Sequence, residues 1–273
     1  MIPAAFAYHR PETVDETVAL LSELGDEATV LAGGQSLLPM MKLRLAAPEA
    51  VIDIGRVPDL RFVREGKGHL VIGALTRHHD LERDPLVGKR CPLLGEVAKK
   101  VGDPQIRHRG TFGGTLAHGD PAADLPAVAV ALDATIVVVG PQGRREIPAS
   151  ALYRSYFETS IAADELIVEV RIPFTEGAGG YEKFTRQAQD WATVGVLAAR
   201  CGGTIRVALV SMGHTTLRAG AVELALAGGA SIDEAAALAA VGTAPVEDLR
   251  AGVEYREHLC RVLTRRALEA ASA

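Results

Sequence analysis

Apolar positions change period several times along the first 175 residues. Val14, Val18, Leu21 and Leu24 recur at helical intervals. They follow Thr13-Val14-Asp15-Glu16, which has capping-box spacing, and Gly25 closes the run, so an amphipathic helix is predicted. Residues 28–32 and 51–54 are short apolar runs with β-branched members; the first stops at Gly33-Gly34 and the second follows Pro48. Both read as buried strands. Residues 70–73, 135–139 and 166–172 also favour strands, whereas 93–100 carries helix formers and stops at Gly102. The most glycine-rich segment, Glu176-Gly177-Ala178-Gly179-Gly180, follows Pro173 and marks the expected domain boundary. Beyond it, 204–212 reads as a strand. Ser231-Ile232-Asp233-Glu234 opens an alanine-rich helix closed by Gly242, and 253–271 carries Leu259, Val262, Leu263 and Leu268 on a helical stripe. The expected fold class is α+β, with no tandem repeat.

Composition narrows the functional classes. A chain of 273 residues, 48% of them hydrophobic, can bury one large or two modest cores. The formal net charge is −5, from 29 Lys plus Arg against 34 Asp plus Glu, and the basic residues are scattered, which argues against nucleic acid as the partner. No apolar run reaches the roughly 18 residues of a membrane span; the richest, 125–140, is interrupted by Asp133. The start lacks the basic head and apolar core of a secretory signal, so a cytoplasmic location is expected. Cys91, Cys201 and Cys260 are too few and too far apart for a disulfide framework, a cysteine-ligated metal or an iron–sulfur site. Redox chemistry in this chain therefore requires an organic cofactor.

Two segments carry candidate chemistry: Ala32-Gly33-Gly34-Gln35-Ser36 after a predicted strand, and Thr111-Phe112-Gly113-Gly114-Thr115. Each sets a glycine pair beside small hydroxyl residues. Glycine lets the backbone approach a ligand and turn successive N–H groups onto phosphate oxygens, and a hydroxyl adds a donor. One such pair alone reads as a tight turn; two pairs suit the two phosphates of a diphosphate. Neither segment has the G-x-G-x-x-G or G-x-x-x-x-G-K-[ST] pattern, so neither a Rossmann site nor an NTPase loop is supported. His108, His118 and His214 are not at metal-ligand spacing and no carboxylate pair surrounds them, so no metal site and no catalytic acid or base is expected. Arg107 and Arg109 suit either phosphate pairing or a surface position.

These residues in this order resemble the FAD-binding medium subunit of the molybdenum hydroxylases, the xanthine dehydrogenase and carbon monoxide dehydrogenase family, and look closest to the carbon monoxide dehydrogenase type. The likeness runs through A-G-G-Q-S-L-L-P-M-M-K-L-R from Ala32, V-I-D-I from Val51 and Q-I-R-H-R-G-T-F-G-G-T-L-A-H-G-D-P-A-A-D-L-P from Gln105. It continues in Y-E-K-F from Tyr181, D-W-A-T-V-G-V from Asp190 and Y-R-E-H-L-C-R-V-L-T-R-R-A-L from Tyr255. The segment 211–218, S-M-G-H-T-T-L-R, departs from the family wording G-G-V-x-P-T-P-x-R. The resemblance implies a two-lobed FAD-binding domain of the PCMH type over residues 1–176, with lobes of about 1–57 and 58–176. A small α+β domain of the carbon monoxide dehydrogenase flavoprotein C-terminal type would follow over 177–273.

It further implies that Ala32, Gly33, Gly34, Gln35, Ser36 and Leu37, with Thr111, Gly113, Gly114 and Thr115, wrap the FAD pyrophosphate. By the same resemblance Asp124 and His118 lie beside the cofactor, Ile167 near the adenine end, Lys183 at the flavin end and Trp191 over the ring face. The residues by themselves leave alternatives: Asp124 as a helix N-cap, Lys183 as a solvated surface cation, Trp191 as core packing. The implied activity is that of an oxidoreductase subunit. It takes electrons from the clusters of a small iron–sulfur subunit beside a large molybdopterin subunit, in a dimer of heterotrimers, and passes them to NAD, oxygen or a quinone. A self-sufficient flavin oxidase or reductase and a non-enzymatic nucleotide-binding protein are the alternatives.

Overall fold

In a computed structural model, residues 2–175 and 178–272 are described, so the boundary expected at 176–177 lies outside the described residues. The chain opens with β1 (Ala7–His9), α1 (Val14–Leu24), β2 (Ala28–Leu31), α2 (Leu37–Lys42) and β3 (Ala50–Asp53). The α1 helix starts where its pattern predicts: the Thr13 hydroxyl accepts from the Glu16 amide at 3.1 Å, and Gly25 ends it at φ 52°. The three strands pair in parallel in the order β1-β3-β2. The first glycine pair therefore leaves the end of β2 at the same edge as the end of β3.

The second lobe begins with β4 (Val63–Glu65) and β5 (His69–Gly73). Short helices follow: α3 (His78–Arg83), α4 (Pro85–Arg90), α5 (Pro92–Lys99), α6 (Pro104–Arg109), α7 (Phe112–His118) and α8 (Leu125–Ala131). Proline at the first turn of α4, α5 and α6 breaks what would be one long segment into pieces, with Asp84 and Asp103 as side-chain caps. The strands β6 (Thr135–Gly140), β7 (Gly143–Pro148), β8 (Tyr153–Ser155), β9 (Glu158–Thr159) and β10 (Leu166–Pro173) complete it. The main sheet is antiparallel, ordered β4-β5-β10-β6-β7.

A bulge in β10 shifts its register against β6 between Ile167 and Glu169. It flips the alternation of faces, so Leu166 and Val168 pack with Leu21 and Ile52 of the first lobe, while Val170 and Ile172 face the core beneath the helices. The two lobes thus share a core.

The remainder builds a second antiparallel sheet, β11 (Gly179–Phe184), β12 (Val194–Cys201), β13 (Thr204–Val210) and β14 (Leu217–Arg218), followed by α9 (Gly220–Ala227), α10 (Ile232–Ala237) and α11 (Val253–Ser272). Both faces of this sheet are buried. Val194, Val196, Ala198, Val207 and Leu209 pack on Leu259, Leu263 and Leu268 of α11, and Leu197, Ala199, Ala208 and Val210 pack on the second lobe. The α8 helix is buried on every side between the two sheets, as its unbroken apolar sequence requires.

The expected alanine-rich helix forms but ends at Ala237 rather than Gly242. The chain then tightens into turns, and the Ala244 amide bonds to the Met212 carbonyl at 3.0 Å, which draws the segment onto the sheet. Among the described residues no helix is long and apolar enough to cross a membrane.

Candidate functional site

The two glycine segments meet. Gly33 is buried against the backbone just before the second pair, where a Cβ would collide with the Arg109 carbonyl and stand 2.9 Å from the Gly110 Cα. Gly114 faces back toward the first segment, its Cβ position 3.7 Å from the Ala32 methyl group. Residues 110–113 are in turn stitched to 74–78: the amides of Phe112, Gly113 and His78 donate to the carbonyls of Thr76, Ala74 and Gly110 at 2.8–3.1 Å. A Cβ on Gly113 would strike Ala74, and one on Gly110 would strike the buried His78 ring. Burial, helped by Arg77 and Arg107, pulls that imidazole down to about 4, so it stays neutral at physiological pH.

The two segments are not equivalent. In the second, the amides at the start of α7 are already used: Phe112 and Gly113 bond to the β5 side, Gly114 to the Thr111 hydroxyl at 3.2 Å and Thr115 to the Thr111 carbonyl at 3.0 Å. In the first, the amides of Gly33, Gly34, Gln35 and Ser36 have no acceptor among the described residues. Gly34 takes φ 75°, a conformation that L side chains rarely adopt. Ser36 makes no side-chain capping bond, and Leu37 begins α2. Successive free amides of this kind form an anion-binding concavity, and the Thr115 hydroxyl of the second segment is likewise unpartnered among the described residues.

Asp124 stands at the entry to α8, only 6% exposed as a residue, and does not cap the helix. Its carboxylate instead accepts the Tyr181 hydroxyl at 2.5 Å and the Lys183 ammonium at 2.9 Å. The Lys183 side chain is 9% exposed, so it is no solvated surface cation. It also donates to the Lys100 carbonyl at 3.2 Å, and the Lys100 ammonium donates to the Tyr181 carbonyl. Burial pushes the Asp124 carboxyl up, while Lys183 and Tyr181 pull it back; burial and Asp124 keep Tyr181 protonated.

Trp191 is 58% exposed, which rules out core packing. It rims a cavity of about 280 Å³ between the second lobe and the C-terminal sheet, with Asp120, Tyr156, Ser211, Asp248 and Arg256 among the lining residues. Its turn is fixed by Asp190, which accepts from the Trp191 amide at 2.8 Å and is gripped by Arg250 through two bonds of 3.0 and 3.1 Å. His118 ends α7 half-buried, its ring 5.0 Å from that of Phe157.

Ile167 stands apart: its side chain is 4% exposed in the second-lobe core, linked to the glycine segments through Val168, whose carbonyl accepts from Ala74. Arg107 is committed to Glu82 at 3.1 Å, and His108 stacks on His79 at 3.9 Å. Among the described residues no group of three or more His, Cys, Asp or Glu is placed to hold a metal.

Tyr181, Lys100, Asp190 and Arg250 were not singled out from sequence. A signal existed for the first, since alternation puts Tyr181 on the same strand face as Lys183. For the others, partners about 60 to 80 residues away leave no local trace.

Residues 4–175 match a family model described as the FAD binding domain in molybdopterin dehydrogenase, and residues 180–271 match the CO dehydrogenase flavoprotein C-terminal domain. The chain is 46% identical to the carbon monoxide dehydrogenase medium chain of Hydrogenophaga pseudoflava, over 100% of this chain and 99% of that one. To the medium chain from Afipia carboxidovorans it is 40% identical with the same coverage. In structure it is similar to carbon monoxide dehydrogenase from Hydrogenophaga pseudoflava lacking the Mo-pyranopterin moiety, with a TM-score of 0.95 at 47% identity, covering 100% of this chain and 99% of the other.

Proposed function

Because this chain belongs to the FAD-binding medium subunits of the molybdopterin dehydrogenases, of the carbon monoxide dehydrogenase kind, we propose that it holds one FAD where its two glycine segments meet and relays electrons through it within a larger oxidoreductase. The observation that carries the site is the run of acceptor-free amides at Gly33, Gly34, Gln35 and Ser36, pressed against the second segment. Such a cradle fits a pyrophosphate: dense in N–H donors, backed by the Ser36 and Thr115 hydroxyls, and in need of no cation. In this reading Ala32, Leu37, Thr111, Gly113 and Gly114 shape the cradle, with the amides of Phe112 and Gly113 fastening the second segment just beyond the end of β5.

Asp124 would accept a hydroxyl of the cofactor. Lys183 sets a fixed positive charge at the flavin end, which favours added negative charge there, and Trp191 covers one face of the ring. His118 flanks the site from the end of α7, and Ile167 supports the adenine end from the core. When bound, FAD accepts electrons singly and releases them in pairs. The protein's part is to fix the cofactor, tune its potential and control access. No side chain is assigned as general acid or base, because none is required.

The reading extends to the assembly. A small iron–sulfur subunit supplies electrons and a large molybdopterin subunit oxidises the substrate, in a dimer of heterotrimers, with NAD, oxygen or a quinone as the final acceptor. The chain's own domains are taken as 1–176, with lobes of about 1–57 and 58–176, and 177–273. A cytoplasmic location is supported by three free cysteines, two of them buried.

The first test is the absorbance spectrum of the chain purified gently from its host, with the released flavin identified. Stoichiometric FAD is expected, accompanied by broad iron–sulfur absorbance when the complex is retained. No flavin on a folded chain contradicts the reading. Trp191→Ala is expected to keep FAD bound and to change its reoxidation rate in stopped-flow measurements; an unchanged rate removes Trp191 from the ring face.

A further inference from the structure

We infer that Tyr181 and Lys100 are positioning residues that hold Asp124 and Lys183 toward the cofactor and so tie FAD binding to the seating of the C-terminal sheet on the second lobe. The inference rests on the proposal that Asp124 and Lys183 contact FAD.

The cluster joins three elements. Asp124 precedes α8, Lys100 follows α5, and Tyr181 and Lys183 belong to β11 of the other sheet. The two lysines make a reciprocal brace: Lys183 reaches the Lys100 carbonyl, and Lys100 reaches back to the Tyr181 carbonyl. The Lys100 ammonium also lies 5.4 Å from the centre of the Tyr181 ring. Together the two bonds tie the end of α5 to β11 in both directions.

Tyr181 is buried, and its hydroxyl is aimed at Asp124 Oδ1, while Lys183 takes Oδ2. The sheet is built around that hydroxyl. Gly195 lies opposite Lys183 on β12, and a Cβ there would stand 2.8 Å from the Tyr181 hydroxyl oxygen. A carboxylate offers about four acceptor positions. With Tyr181 and Lys183 each using one, both oxygens stay fixed and each keeps a position for a cofactor hydroxyl. Remove the Tyr181 hydroxyl and Oδ1 loses its anchor, leaving the group to swing toward Lys183 alone.

The charge balance points the same way. The titratable groups facing Asp124 are Tyr181 and Lys183 on β11 and Lys100 at the end of α5; all three favour its ionised form, against burial. Loss of the Tyr181 hydroxyl or the Lys100 charge therefore lets Asp124 take up a proton at a higher pH. A protonated Asp124 releases Lys183.

The test is a titration of the full-length, flavin-free chain with FAD across a pH series, for the wild type, Tyr181→Phe and Lys100→Met, with folding checked by circular dichroism. At neutral pH, Tyr181→Phe is expected to bind FAD roughly tenfold more weakly, the loss typical of one hydrogen bond to a charged group. The pH at which affinity has fallen by half should move upward, and Lys100→Met should move it the same way by less. If wild type binds FAD and both variants follow its affinity and pH curve, the inference is overturned while the site reading stands. If wild type does not bind FAD, the site reading itself fails. Should Tyr181→Phe not fold, the Lys100→Met curve decides alone: an upward shift supports the inference and no shift overturns it.

Discussion

A Gly33→Val variant is expected to purify with almost no FAD and to lose about 1–3 kcal/mol of stability, the range of overpacked interiors. The cause is backbone against backbone: the new Cβ would meet the Arg109 carbonyl and the Gly110 Cα, neither of which can step aside as a flexible side chain would. The segments must then part, and residues 110–113 cannot follow freely because they are bonded to Ala74, Thr76 and His78. Gly34→Ala is a useful contrast. Its strain comes from φ 75° and from a close approach to the Leu38 side chain, which can yield. That variant should weaken FAD binding without abolishing it. Flavin-to-protein ratio and urea denaturation read both effects, and full FAD occupancy in Gly33→Val would show that close contact of the two segments is not needed.

Lys183→Met is expected to cost about 3–5 kcal/mol at pH 7, the usual penalty for leaving a buried charge without its partner. Asp124 would keep Tyr181 but lose the cation 2.9 Å from Oδ2. The deficit should shrink in acid. Burial already raises the folded-state value of Asp124 above its ordinary 3.8, and losing Lys183 raises it further. A carboxyl of this kind contributes stability that is fully present below its unfolded value and lost as pH rises through its folded one. Urea denaturation of the variant at descending pH, from 7 toward 4, should therefore approach the wild-type curve. A deficit that is constant with pH would mean that Lys183 contributes through its bond to the Lys100 carbonyl rather than through the charge of Asp124.

Much of the fold was legible locally. The α1 helix starts at its cap and stops at its glycine, and β5, β6, β10 and β13 lie where apolar runs predicted them. What escaped has physical causes. β1 has no apolar run, because it is an edge strand exposed on much of its surface. β12 has no alternation to detect, because both faces of its sheet are covered and a continuous apolar run fits a buried strand or a helix equally well. α10 ends at Ala237, where the Leu238 and Ala239 amides turn to carbonyls three residues back, and the chain goes on to bond Met212, distant in sequence.

By itself the sequence singled out two glycine pairs with hydroxyl neighbours, and the family resemblance added Asp124, Lys183 and Trp191 as expected neighbours of the cofactor. Glycine permissiveness, capping and strand alternation act within a few residues, so a linear reading captures them. Only the tertiary structure decided how these parts divide the work. The first glycine segment keeps its amides free, whereas the second has used its own to fasten itself to the end of β5. Asp124 leaves the helix-capping role open to it and pairs with Lys183 and Tyr181. Those outcomes depend on which donors and acceptors meet across separations of about 40 to 60 residues, and on burial, which makes an unpaired charge costly. Chain proximity cannot reveal either.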